Sequence, residues 1–101
     1  IGLTKNKKLP TLPSLIMNNL TLFHYDSCPF CARVRQHLET RGLKIPMRNI
    51  QTELGARSDL IAIGKKAQVP CLVVDGKALY ESADIIAWID AHLSEIKKTF
   101  S

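Results

Sequence analysis

In the stretch "FHYDSCPFCARVRQHLETRG" two cysteines, Cys28 and Cys31, are separated only by Pro29 and Phe30. On a helix this spacing puts two thiols one turn apart, close enough to close a disulfide. Cys28 falls where an apolar strand pattern gives way to a helical one. A sulfur there meets the unpaired N–H groups and the positive dipole end of the helix, and both favour thiolate over thiol. Such settings lower a thiol pKa from about 8.5 into the range of roughly 3.5–7.5. Cys31, deeper in the helix, is expected to be more buried and to keep its proton longer. The chemistry this implies is thiol–disulfide exchange, with Cys28 attacking a disulfide and Cys31 resolving the mixed disulfide by attacking Cys28. Arg33 and Arg35 lie on the same first turns and read as solubilising helix arginines, with an electrostatic assist to Cys28 as the alternative.

Metal binding is the competing use of these residues. His24, Cys28, Cys31 and Cys71 have the donor types of a zinc site, but there is no second C-x-x-C and no paired His, and Pro-Phe suits a helix start. Iron–sulfur ligation through Cys28 of two chains is the stronger metal alternative. The expectation is a site without metal.

The elements that must hold the thiols are legible around them. "LTLFHY" from Leu20 alternates and reads as a strand. Pro29 fits the first turn of a helix, and Cys31, Val34 and Leu38 make its inner stripe; Gly42 stops it. "KIPMRNI" reads as a short strand that Pro46 confines to an edge. A helix is expected from about Glu53 to Gly64 with Leu54, Leu60, Ile61 and Ile63 inward. "CLVVDGKALYE" is a hairpin turning at Asp75-Gly76. Ser82 is expected to cap a last helix, with Asp84 at its positive end and Ile86, Ile89 and Leu93 inward. The order β-α-β-α-β-β-α gives a parallel first pair of strands with a right-handed crossover, then an antiparallel hairpin. The fold class is therefore α/β, a four-stranded mixed sheet flanked by helices.

The 101 residues suffice for one domain with a modest core. The net charge is +5, but three of the fourteen Lys and Arg and none of the nine acidic residues lie in residues 1–19, which leaves +2 for the rest. That is too little to argue for nucleic acid. Three cysteines are too few, and odd in number, for a secreted disulfide scaffold. No apolar run is long enough to span a membrane. Residues 1–19, with Pro10 and Pro13 and no clean period, read as an arm or leader, and residues 20–101 as the domain. The expected location is the cytoplasm and the expected state a monomer. Ile1 in place of Met leaves room for a removed signal or anchor.

"FHYDSCPFC", "QVPCL" and "ESADI", in this order and spacing, resemble glutaredoxins, which have the thioredoxin fold. They look most like the branch whose domain also forms the N-terminal half of glutathione transferases. The resemblance runs from about Leu20 to Leu93. It implies a cis Pro70 facing the two cysteines and a Val69 backbone that pairs with the cysteinyl part of glutathione. It implies that Glu81 and Ser82 hold the γ-glutamyl end, and that Gln68, with Lys65 or Lys66, meets the glycyl carboxylate. Glutathione is then the co-substrate, and glutathionylated or disulfide-containing proteins are the partners. The implied activity is glutathione-dependent thiol–disulfide exchange. Its alternatives are the N-terminal domain of a transferase-like enzyme and a glutathione-ligated iron–sulfur carrier. Transferases of the related cysteine-using type generally lack the second cysteine, which this chain has as Cys31. Cys71 follows the expected cis proline. Strand alternation should turn it away from Cys28, as a buried core thiol.

Overall fold

The computed structural model describes residues 19–100. Apart from Asn19, the expected N-terminal arm lies outside the described residues. Eight elements follow: β1 (Leu20–His24), α1 (Pro29–Thr40), β2 (Met47–Asn49), α2 (Ala56–Gly64), β3 (Cys71–Val74), β4 (Lys77–Tyr80), α3 (Ser82–Ala91) and α4 (Leu93–Phe100). The strands form one sheet in the order β2-β1-β3-β4. β1 pairs in parallel with β2 and antiparallel with β3, and β3 with β4 antiparallel. This is the four-stranded mixed sheet of the thioredoxin fold.

Alternation in β1 and β3 sorts the core into two layers. On one face, Leu20, Leu22 and Leu72 pack with Val34 and Leu38 of α1, Ile85 and Ile89 of α3, and Ile96 of α4. On the other, Phe23, Cys71 and Val73 pack with Ala56 and Leu60 of α2. Full burial of each large aliphatic side chain contributes about 1.5–3 kcal/mol, so the first, larger layer carries most of the stability. α1 and α3 are also tied at the surface, where Asp90 receives His37 Nε2 at 2.9 Å and Arg41 Nε at 2.8 Å.

Several expectations hold in detail. α1 ends at Thr40 with Arg41 as its C-cap, directly before Gly42. β2 is a sheet edge. The hairpin turns through Asp75 and Gly76 with φ of 51° and 81°, the two positive values that a two-residue turn of this hand requires.

Three expectations are corrected. α2 begins at Ala56, not Glu53, and buries only Ala56 and Leu60. Leu54 is 99% exposed, and Ile61 and Ile63 also reach solvent, because α2 touches the sheet along a single narrow stripe. The last helix is two helices. At His92 the backbone leaves helical geometry, and the His92 ring stacks on Trp88 at 4.2 Å while its Nδ1 lies 2.9 Å from the Trp88 carbonyl. The chain restarts as α4, whose Phe100 carbonyl accepts the Lys44 N–H. Finally, Ser82 is the first helical residue of α3, and Glu81 holds the cap position. On α3 the buried stripe is Ile85 and Ile89, with Ile86 only half-buried.

One contact explains a glycine. A Cβ on Gly64, at the end of α2, would stand 1.9 Å from the Tyr80 hydroxyl oxygen. The absence of a side chain lets Tyr80 lie across the helix end and donate to the Lys66 carbonyl at 3.3 Å.

Candidate functional site

Cys28 occupies the N-cap of α1, with Pro29 in the first turn. Its Sγ accepts the backbone N–H of Cys31 at 3.3 Å, so sulfur does the work that an Asp or Ser oxygen does at an ordinary helix start. Both thiols are buried, Cys28 with 4% of its surface exposed and Cys31 with none. Cys31 is pushed up to about 12, first by burial and then by its hydrogen bond to the Cys28 sulfur. It is therefore a thiol at neutral pH, and its proton sits beside Cys28. Phe30, between them, is 60% exposed.

The loop leading to Cys28 is held from behind. Arg35, two turns into α1, places Nη1 3.1 Å from His24 Nδ1 and donates to the Tyr25 carbonyl at 3.2 Å, while Nη2 donates to the Asp26 carbonyl at 3.2 Å. Cys28 N–H reaches the same Tyr25 carbonyl at 3.3 Å. His24 is held below its ordinary pKa by burial and then by the Arg35 charge. The neutral ring offers Nδ1 as an acceptor to the guanidinium. The Asp26 carboxylate in turn accepts Asn49 Nδ2 at 3.2 Å. Read as a solubilising residue in the sequence, Arg35 is instead the bracket of the β1–α1 loop. Its partners come from the loop and strand, and no local pattern signals them.

The remaining site residues stand at the same end of the sheet. The ladders pair Phe23 with Cys71 and Cys71 with Tyr80. One step further, the register sets Pro70 against His24 on one side and Glu81 on the other. The C-terminal end of β1, the entry to β3 and the exit of β4 thus meet where Cys28 sits. The Val69–Pro70 peptide bond is cis, as the resemblance implied. Gln68 Nε2 donates to Glu81 Oε2 at 3.2 Å, which joins two of the expected glutathione contacts. Glu81 has φ 72° and ψ 118°, a non-glycine conformation costing on the order of 1–3 kcal/mol, of the kind that gathers at functional turns. It swings the chain from β4 into α3 and leaves Ser82, itself buried, at the helix start with N–H groups that have no intrahelical acceptor. Lys65 Nζ donates to the Ala62 carbonyl of its own helix at 3.3 Å, and Lys66 Nζ lies 4.4 Å from the centre of the Tyr80 ring.

Cys71 is fully buried in the α2 layer, on the sheet face opposite α1. Burial pushes its thiol up. His24, Cys28, Cys31 and Cys71 therefore do not converge. Among the described residues no three His, Cys, Asp or Glu side chains are grouped to hold a metal ion. No described helix is long and apolar enough to cross a membrane.

Solved structures share this architecture. A Tau class glutathione S-transferase from mango, Mangifera indica, superposes with a TM-score of 0.61 at 24% identity, over 77% of this chain and 36% of the transferase. The chain thus spans about a third of that enzyme's length. A wheat glutaredoxin superposes at 0.61 and 19% identity, covering 87% of this chain and 89% of its own. A buckwheat glutaredoxin–glutathione complex superposes at 0.62 and 15% identity, over 87% and 86%. No curated protein matches the chain. The family model described as glutathione S-transferase, N-terminal domain matches residues 22–95, nearly all of the described domain including all three cysteines, and the chain belongs to that family.

Proposed function

We propose that the protein is a glutathione-dependent thiol–disulfide oxidoreductase that reduces protein–glutathione mixed disulfides and protein disulfides. The observation that carries this reading is the second thiol: Cys31, one turn from Cys28, with its N–H on the Cys28 sulfur. Conjugation of glutathione to an electrophile needs no such partner. The glutathione chemistry is supported by the family match and by the glutathione-bound buckwheat glutaredoxin of the same fold.

In the first step the Cys28 thiolate attacks the glutathionyl sulfur of a mixed disulfide. A Cys28–glutathione disulfide forms, and the target leaves as thiolate and takes a proton from water. A second glutathione thiolate then attacks the glutathionyl sulfur, oxidised glutathione leaves, and the Cys28 thiolate is restored. For a protein disulfide, the Cys28 thiolate attacks one target sulfur, the target S–S bond breaks and the other target sulfur leaves as a thiolate that is protonated by water. Cys31 then gives its proton to water and attacks Cys28 Sγ, which closes the Cys28–Cys31 disulfide, breaks the Cys28–target bond and releases the second target sulfur as a thiolate. Two glutathiones reopen it and leave as oxidised glutathione. Once Cys28 is in a mixed disulfide it no longer accepts a proton from Cys31 or carries charge beside it. The contribution of Cys28 to holding the Cys31 proton is then removed, while burial, the larger cause, remains.

Val69, Pro70, Gln68, Glu81 and Ser82 hold glutathione in this proposal, with the γ-glutamyl carboxylate at the α3 start. Lys65 or Lys66 meets the glycyl carboxylate by swinging away from its present contact. The second reading, the N-terminal part of a transferase, is favoured by the family match and by the third of the mango enzyme that the chain spans. The test sets reduction of a glutathione mixed disulfide against conjugation of glutathione to an aryl halide, both with the full chain. Turnover of the disulfide alone supports the oxidoreductase, and conjugation alone overturns it.

A further inference from the structure

We propose that Arg35 is a positioning residue for the attacking thiolate: its guanidinium fork locks the Tyr25–Asp26 loop against His24, which keeps the Cys28 sulfur in the cap of α1 and sets its reactivity. This rests on the reading of Cys28 as nucleophile. One side chain makes three contacts, to His24 Nδ1, the Tyr25 carbonyl and the Asp26 carbonyl, all between 3.1 and 3.2 Å. The Tyr25 carbonyl is shared with the Cys28 N–H, so the guanidinium and the nucleophile's backbone are fixed to the same peptide unit. A planar fork can span three acceptors in this way, and a Lys ammonium cannot reproduce it.

Cys28 depends on that fixation because its Sγ caps the helix. If the loop shifts, the sulfur leaves the Cys31 N–H and the first turn, and thiolate stabilisation falls. The ionisable groups on the elements that hold Cys28 are Cys31, Arg33, Arg35, His37 and Glu39 of α1, His24 at the end of β1, and Tyr25 and Asp26 in the loop, while β3 carries Cys71, buried on the opposite face of the sheet. Of these side chains, Arg35 is the one that donates to the loop carbonyls of Tyr25 and Asp26, and its charge also draws Cys31 down.

The test is the pH profile of Cys28 alkylation by iodoacetamide in the wild type, Arg35→Lys and Arg35→Met, with the modified peptide mapped and melting temperature measured in parallel. Arg35→Lys keeps the charge and loses the fork. Its Cys28 alkylation is expected to be about threefold slower than that of the wild type on the acid side of the profile and equal at the alkaline end. Arg35→Met is expected to be slower still. Equal rates for wild type and Arg35→Lys across the whole profile, whether or not melting falls, overturn the proposal and leave Arg35 as a structural bracket. If Arg35→Met does not fold, the Lys variant decides alone. Iodoacetamide alkylation needs no glutathione, so a wild type that fails the glutathione assay leaves this comparison standing.

Discussion

The backbone N–H of Cys31 points at the sulfur of Cys28 across 3.3 Å, and the Cys31 thiol hydrogen-bonds to the same sulfur. One sulfur ends a loop and caps a helix. The other is sealed inside that helix with its thiol pushed up to about 12. This contact makes the two thiols unequal, and the division of labour follows from that inequality.

Cys28→Ser is expected to abolish reduction of both substrate types, because neither other thiol stands at a helix start. Cys31→Ser is expected to keep reduction of glutathionylated substrates, since free glutathione resolves that intermediate, and to lose reduction of protein disulfides. Steady-state assays on the two substrates check this. Activity in Cys28→Ser with none in Cys31→Ser would reverse the assigned roles.

How much of this was legible in the sequence depends on the range of the interaction. Cys28 at a strand–helix junction, the Asp75-Gly76 turn and the stop before Gly42 are local, and local chemistry dictates them. The two-sided sheet followed from element order. Ile61 and Ile63 were misread because an apolar residue turns inward only if something lies there to cover it, and Ala56 and Leu60 are the residues of α2 that are buried. Arg35 was misread for a related reason, since its acceptors lie nine to eleven residues back in the chain, on elements that only the fold brings near. Gly64 gave no signal of its role, because Tyr80 reaches it from β4.

Ser82→Pro probes the glutathione site without breaking the helix. Proline is well tolerated at the first helical position, where Ser82 stands, and it removes the N–H proposed for the γ-glutamyl carboxylate. The expected result is weaker handling of glutathione substrates, read as a raised KM, with Cys28 alkylation by iodoacetamide little changed. Equal losses in both measurements would indicate misfolding rather than a lost ligand contact.

His24 gives the fold an acid-side weakness. Its folded pKa is depressed, by burial first and by Arg35 second, so the unfolded chain binds the proton more readily. The stability it contributes is complete above the unfolded pKa of about 6.5 and is lost as pH falls through the lower folded value. His24→Asn keeps an acceptor for the guanidinium but does not titrate. Its melting temperature is expected to fall less steeply than that of the wild type between about pH 7 and pH 5. Parallel slopes for the two proteins would show that His24 does not ionise on unfolding in that range.

The last prediction concerns which sulfurs join on oxidation. Cys28 and Cys31 are one turn apart on α1. Cys71 is fully buried on the opposite face of the sheet, among Phe23, Ala56 and Leu60, with the Tyr80 hydroxyl as its polar neighbour. A bridge from Cys28 to Cys71 would need the Cys71 side chain to leave that layer and face Cys28, which disulfide geometry allows only with backbone movement. Oxidation is therefore expected to link Cys28 to Cys31 and to leave Cys71 a free thiol that alkylates slowly until the protein unfolds. Cys71→Ser should cost about 1–3 kcal/mol by placing a hydroxyl in an apolar layer, with exchange activity retained. Peptide mapping of the oxidised protein is the check. A dominant bridge to Cys71, or its rapid alkylation in the native state, would mean that the two faces of the sheet exchange their thiols, and the separation of the redox pair from Cys71 would fall.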